Sequence, residues 1–175
     1  MNKRGFTLVE LVVGIVVLAV AMMIMNTLLI SQSKDALEPL YRLRASQLGQ
    51  SIMQNVLSRA YDENSDHNGG LYRCGEIWQP SNTVKNCSTT LGLDSGETAD
   101  EHQNFNDVDD FITTGFESLV SYGDVLGTDL PSQYNNYAVK IEAEIITTEI
   151  SKKIAVIIKT PSGEEIRFSA LKGNY

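Results

Sequence analysis

The side chains able to do chemistry in this chain stand in four places. Glu10 is the only ionisable residue between Phe6 and Ile30. A carboxylate in so apolar a run costs several kcal/mol unless it finds a cation, which marks it as a functional position. Cys74 and Cys87 are the only cysteines. Asn64, Asp66 and Asn68, followed by Gly69, alternate like the opening of a calcium loop. Asp94, Glu97, Asp100, Glu101, Asp107, Asp109 and Asp110 crowd one stretch that has no Lys or Arg.

The two oxygen-rich stretches also have plainer readings. Twelve residues from Asn64 the closing position of a calcium loop is Gly75, and Glu76 comes one residue late. A solvated turn fits DENSDHNGG better. The acid run reads as a solvated loop, and its spacing matches no fixed metal loop. No cofactor is expected, and calcium is the one metal these residues would suit. His67 and His102 are the only histidines and lack zinc-site spacing. No G-x-S-x-G elbow, P-loop, dinucleotide fingerprint or C-x-x-C motif is present, so an enzyme is not expected.

The element that must position Glu10 is an apolar helix. From Leu11 to Met25 every residue is apolar or Gly, and Leu28 to Ile30 extend the run past Asn26 and Thr27. Twenty such residues at about 1.5 Å each span the roughly 30 Å of bilayer hydrocarbon. Lys3 and Arg4 precede the run and orient it with the N-terminus in the cytoplasm and the rest outside. An ordinary signal peptide would use the same cations and cut after Ala19-Val20-Ala21. Glu10 at the leading edge, and an apolar stretch continuing past that cut, argue against it. A plain anchor explains the length but not Gly-Phe followed four residues later by Glu.

The short basic leader ending in Gly5, then Phe6, Thr7, Leu8, Val9, Glu10 and the apolar run, resembles the class III leader of type IV pilins and type II secretion pseudopilins. The resemblance implies cleavage by a prepilin peptidase between Gly5 and Phe6, and N-methylation of Phe6. It also implies that Glu10 forms an assembly salt bridge to the N-terminal amine of a neighbouring subunit, which supplies the cation its burial requires. The partners implied are other pilins through the N-terminal helix, the peptidase, and an inner-membrane assembly platform.

The net charge is −8 and becomes more negative if Lys3 and Arg4 are removed. That sign disfavours nucleic-acid phosphate as a partner. Downstream of an export segment, in an oxidising compartment, Cys74 and Cys87 read most simply as one disulfide closing a short loop. The alternative is two free buried thiols.

Beyond Ile30 polarity rises while helix-compatible residues continue. Pro39 is expected to kink or briefly interrupt the helix. Past it, Tyr41, Ala45, Leu48, Ile52 and Val56 recur at steps of four and three, with Leu40, Leu43 and Leu57 beside them. That is an amphipathic helix face. Leu71 to Trp78 allows a strand, and Trp78 is more often a packing residue than a ligand platform. Ile112 to Asn136 looks loop-rich. Val139, Ile141, Ala143 and Ile145 then alternate with Lys140, Glu142 and Glu144. Lys153 to Thr160 is β-branched and nearly all apolar, and Ile166, Phe168 and Ala170 alternate again. These are three antiparallel strands.

The expected fold is α+β: a long N-terminal helix, half membrane and half amphipathic, packed on a C-terminal antiparallel sheet. This is also the pilin fold that the resemblance implies. Four segments follow: a leader at 1–5, a transmembrane assembly helix at 6–30, an amphipathic helix at 31–61, and a pilin-like domain at 62–175. FNDVDDF (Phe105 to Phe111), with the paired cysteines and amphipathic stretch, resembles minor pilins of the mannose-sensitive haemagglutinin (MSHA) pilus system, their D type in particular. The implied role is a minor pilin, held in the inner membrane and then incorporated into a surface fibre or priming it. A type II secretion pseudopilin would use the same leader. An adhesive tip subunit, its exposed loops at 62–104 contacting a surface, is the other reading.

Overall fold

The computed structural model describes residues 7–66, 72–78, 81–99, 102–119 and 132–175; within these the side chains of residues 29–35 and 103 are not described. Helix α1 runs Leu8–Ser58 and contains Pro39. The strands follow as β1 (Ile77–Trp78), β2 (Thr83–Val84), β3 (Glu117–Ser118), β4 (Ala138–Thr147), β5 (Ser151–Lys159) and β6 (Glu165–Gly173). The chain divides into two compact units, Met1–Leu40 and Tyr41–Tyr175. The helical assignment is continuous through Pro39 rather than interrupted there, although proline removes one ladder hydrogen bond.

In the first unit, Leu8–Leu28 is long and apolar enough to cross a membrane, and every side chain in it is exposed. A helix that is hydrophobic all round needs an apolar medium or other helices around it.

In the second unit the periodic face of α1 closes a core. Ala45, Leu48, Ile52, Met53 and Val56 are buried with Val139 and Ile141 of β4 and Ile154, Val156 and Ile158 of β5. Phe105, Val108 and Phe111 fill one flank, and their rings meet edge to face, Phe105 on Phe111 at 4.9 Å. Leu43, which the sequence placed beside this face, is instead more than half exposed. Gly49 sits against the ring of Phe168, where a Cβ has no room. The helix ends at Ser58, and Lys172 of β6 donates to the Leu57 carbonyl at 2.9 Å, satisfying a group the last turn leaves open.

The main sheet is antiparallel with strand order β3-β4-β5-β6. Sequence alternation reads β4 and β6, and the β-branched apolar run reads β5, while β3, two residues long, is missed. The β5–β6 connection turns on Gly163 at φ 92, where a side chain would strain the backbone. β5 is buried on both faces. Ala155 and Ile157 point away from α1 yet are each only 4% exposed. In register beside Ile157 lie Lys140 and Arg167, and beside Ala155 lies Glu142. Glu142 accepts from Lys140 at 2.8 Å and from Arg167 at 2.9 Å, so an ionic net roofs the strand and its aliphatic stems cover apolar surface.

Two local expectations are corrected. Among the described residues 72–78 only Ile77–Trp78 forms a strand, paired with Thr83–Val84. The acid run is not a solvated loop throughout: Asp107, Asp109 and Asp110 are buried. Their carboxylates are used to satisfy loop backbone. Asp107 Oδ1 accepts from the N–H groups of Asp109 (2.9 Å) and Asp110 (3.3 Å), and Asp110 Oδ2 from those of Asn106 (2.9 Å) and Asp107 (3.0 Å).

Candidate functional site

Two arrangements could carry function. The first is the start of α1. Thr7 immediately precedes Leu8, the first residue of α1, and its backbone N–H and hydroxyl both donate to Glu10 Oε2 at 2.9 Å. In return the Glu10 N–H donates to Thr7 Oγ1 at 3.3 Å. This is a reciprocal capping box, T-x-x-E, and it satisfies donors that a helix start leaves orphaned. It also fixes the carboxylate at the rim of the apolar helix, where the positive end of the helix dipole favours a negative charge. The signal was legible as Thr7-Leu8-Val9-Glu10, yet the sequence reading took Glu10 only as a partner for a cation. Gly5 and Phe6, the expected cleavage and methylation positions, lie outside the described residues.

The second arrangement lies where the helix exit, the disulfide and the acid run converge. Cys74 and Cys87 form a disulfide with Cα atoms 4.8 Å apart. It is buried with Tyr61. Asn174, just past β6, donates to the Cys74 carbonyl at 3.0 Å and the Glu149 carbonyl at 2.9 Å, docking the disulfide loop on the sheet. Trp78, inside that loop, packs on Tyr72 at 5.2 Å between ring centroids.

Beside the disulfide lies a buried cation. Lys152 Nζ donates to the Tyr61 carbonyl at 2.7 Å and to Asp109 Oδ1, and meets Asp62 Oδ2 at 3.4 Å. It also sits 4.7 Å from the Tyr61 ring centroid. Asp62 in turn accepts from the Ser88 N–H (2.9 Å) and the Asn64 N–H (3.1 Å). One carboxylate thus joins the helix exit, β5 and the segment after Cys87. Burial pulls the Lys152 ammonium down, but Asp109, Asp107 and Asp62 together hold it above its ordinary value.

Around this pair the carboxyls are crowded. Burial, reinforced by Asp109 and Asp110, pushes Asp107 up to about 8. Burial and the adjacent Asp110 carboxyl push Glu97 up to about 7. Asp94 is raised as well, by burial and then by Glu63 and the nearby aspartates.

Of the residues the sequence singled out for calcium, Asn64 and Asp66 lie in the turn after α1, where the Asp66 N–H donates to the Tyr72 carbonyl at 3.1 Å. Asn68 and His67 lie outside the described residues. Among the described residues, side chains able to hold a metal are instead brought together twice, as Asp62 with Cys74 and Cys87, and as Asp94 with Asp107 and Asp110. The cysteines of the first group are spent in the disulfide.

Searches of curated proteins and of solved structures give no match. Residues 1–26 match the prokaryotic N-terminal methylation motif. The chain carries a type IV prepilin-like leader ahead of an apolar helix and an antiparallel sheet.

Proposed function

We propose that the protein is a pilin-like subunit, a minor pilin of an MSHA-like type IV pilus. The carrying observation is the methylation-motif leader joined to a 21-residue apolar helix exposed on every side. In this reading the helix holds the subunit in the inner membrane with its domain in the periplasm. A prepilin peptidase cuts between Gly5 and Phe6, Phe6 is methylated, and the helix leaves lipid to pack against those of neighbouring pilins. Glu10 exchanges the Thr7 hydrogen bonds for the N-terminal amine of a neighbour. A carboxylate left unpaired in the helical bundle penalises every other axial position, so Glu10 sets register. The narrower MSHA assignment rests on FNDVDDF and the paired cysteines.

The test is intact mass of the protein from sheared surface fibres, for wild type and Glu10→Ala. The expected wild-type species starts at Phe6 and carries one methyl. Glu10→Ala is expected to be cleaved and folded but depleted from fibres, and its normal incorporation would remove the register role. Retention of the wild type in the periplasm without surface fibres would favour a type II secretion pseudopilin. A soluble form starting at Met22 would overturn the whole reading.

A further inference from the structure

We propose that Asp94, Asp107 and Asp110, with Glu97 beside them, form a binding site for one divalent cation of the calcium class. Each of the three aspartates offers an oxygen, and these atoms all lie within 4.8 Å of one another. Oxygens on opposite sides of one calcium stand about 5 Å apart, twice its 2.3–2.6 Å bond, so the trio has the span of one coordination shell.

Acidic residues gather on many protein surfaces, but Asp110 is not a surface group. It is 2% exposed, and its Oδ2 is taken by the Asn106 and Asp107 N–H groups. Its Oδ1 is buried with no hydrogen-bond partner. An orphaned buried carboxylate oxygen is costly, and such atoms are commonly satisfied by an ion or water. Close to the Asp110 carboxyl stands a second one, that of Glu97, which burial and then Asp110 push upward. Two carboxylates hold such an approach only with a proton or a cation between them. The nearby cation, Lys152, is already engaged by Asp109, Asp62 and the Tyr61 carbonyl.

The donors are all hard oxygens, which suits calcium rather than zinc or copper. They come from two loop segments, 94–97 and 107–110, so irregular coordination completed by carbonyls or water is easier to provide than the strict octahedron magnesium demands. Bound there, the ion would tie the first segment to the second. Through Asp109 and Lys152 it would tie both to β5.

The experiment is calorimetric titration of the metal-stripped full chain in detergent micelles with CaCl2 and, separately, MgCl2. One calcium per chain is expected, in the roughly 10⁻⁴–10⁻³ M range of extracellular calcium modules. Asp94→Asn, at the least buried of the three ligands, is expected to weaken binding at least about tenfold with unchanged circular dichroism. Glu97→Gln serves as the second variant should Asp110→Asn fail to fold. No saturable binding at about 10 mM calcium, well above that range, would overturn the site. Wild-type affinity in both Asp94→Asn and Glu97→Gln would overturn its location, and equal affinity for magnesium its calcium character.

Discussion

Lys152 and Asp109 face each other inside the folded domain, ammonium against carboxylate, with both side chains almost wholly withdrawn from water. They are 43 residues apart in sequence, and no local pattern links them. The pair is sustained because every strong demand is met: Lys152 has Asp109, Asp62 and the Tyr61 carbonyl, and Asp109 also accepts from the Gly92 N–H at 3.4 Å.

Removing one side of such a pair leaves a buried charge uncompensated. Lys152→Met keeps the length and apolar stem but abandons Asp109 and Asp62. Its expected cost is about 3–5 kcal/mol in urea unfolding. Adding Asp109→Asn should recover part of that loss. A single-variant cost below about 1 kcal/mol would mean the ion pair contributes no more than a surface one.

Ile157 and Leu171 lie on the same outer face of the sheet but differ in cover. Leu171 is 65% exposed, whereas Ile157 lies under the Lys140–Glu142–Arg167 net. Ile157→Ala is expected to cost about 2–4 kcal/mol, as at an interior site. Leu171→Ala should stay within about 0.5 kcal/mol. Equal small losses in thermal unfolding would show that the net does not exclude water from Ile157.

Gly49 and Phe168 form a close approach of helix to sheet. Alanine normally favours a helix over glycine by about 1 kcal/mol, yet at Gly49 the added methyl meets the Phe168 ring. Gly49→Ala should therefore destabilise, by about 1–3 kcal/mol of overpacking. Combined with Phe168→Leu the loss should be smaller than the sum of the two singles. Strict additivity in a double-mutant cycle would contradict the contact.

The disulfide closes a short loop, its cysteines 13 residues apart. Cys74→Ser with Cys87→Ser is expected to lower unfolding free energy by about 2–4 kcal/mol. Reduction of the wild type should lower its melting temperature, while the double variant should not respond to reductant. A response of the variant would place the reductant effect elsewhere.

Much of this fold is written in periodicities. Ala45, Leu48, Ile52 and Val56 recur at helical spacing and are buried together, and the alternation through Val139 and Ile141 marks the inner face of β4. Lys153 to Thr160 reads as nearly unbroken apolar strand because β5 is covered on both sides. The acid cluster was not legible in the same way. Composition sees seven carboxyls and infers water, since it cannot see Lys152 or the backbone N–H groups that draw Asp107, Asp109 and Asp110 inward. Asp62 presents the same difficulty, as its partners Ser88 and Lys152 lie 26 and 90 residues away. The Thr7–Glu10 cap was local and could have been read directly.

Among the described residues, the core draws on α1 only from Tyr41 onward. The apolar stretch Leu8–Leu28, exposed on every side, calls for an apolar medium around it. Its transfer from bilayer to fibre, on the proposed function, is a partition between two oily media. Lipid tails are about as apolar as leucine side chains, so the hydrophobic term nearly cancels. What remains to favour the fibre is shape fit between helices and the fate of one carboxylate. On that reading, exchange between the two media needs little driving force and no unfolding of the domain.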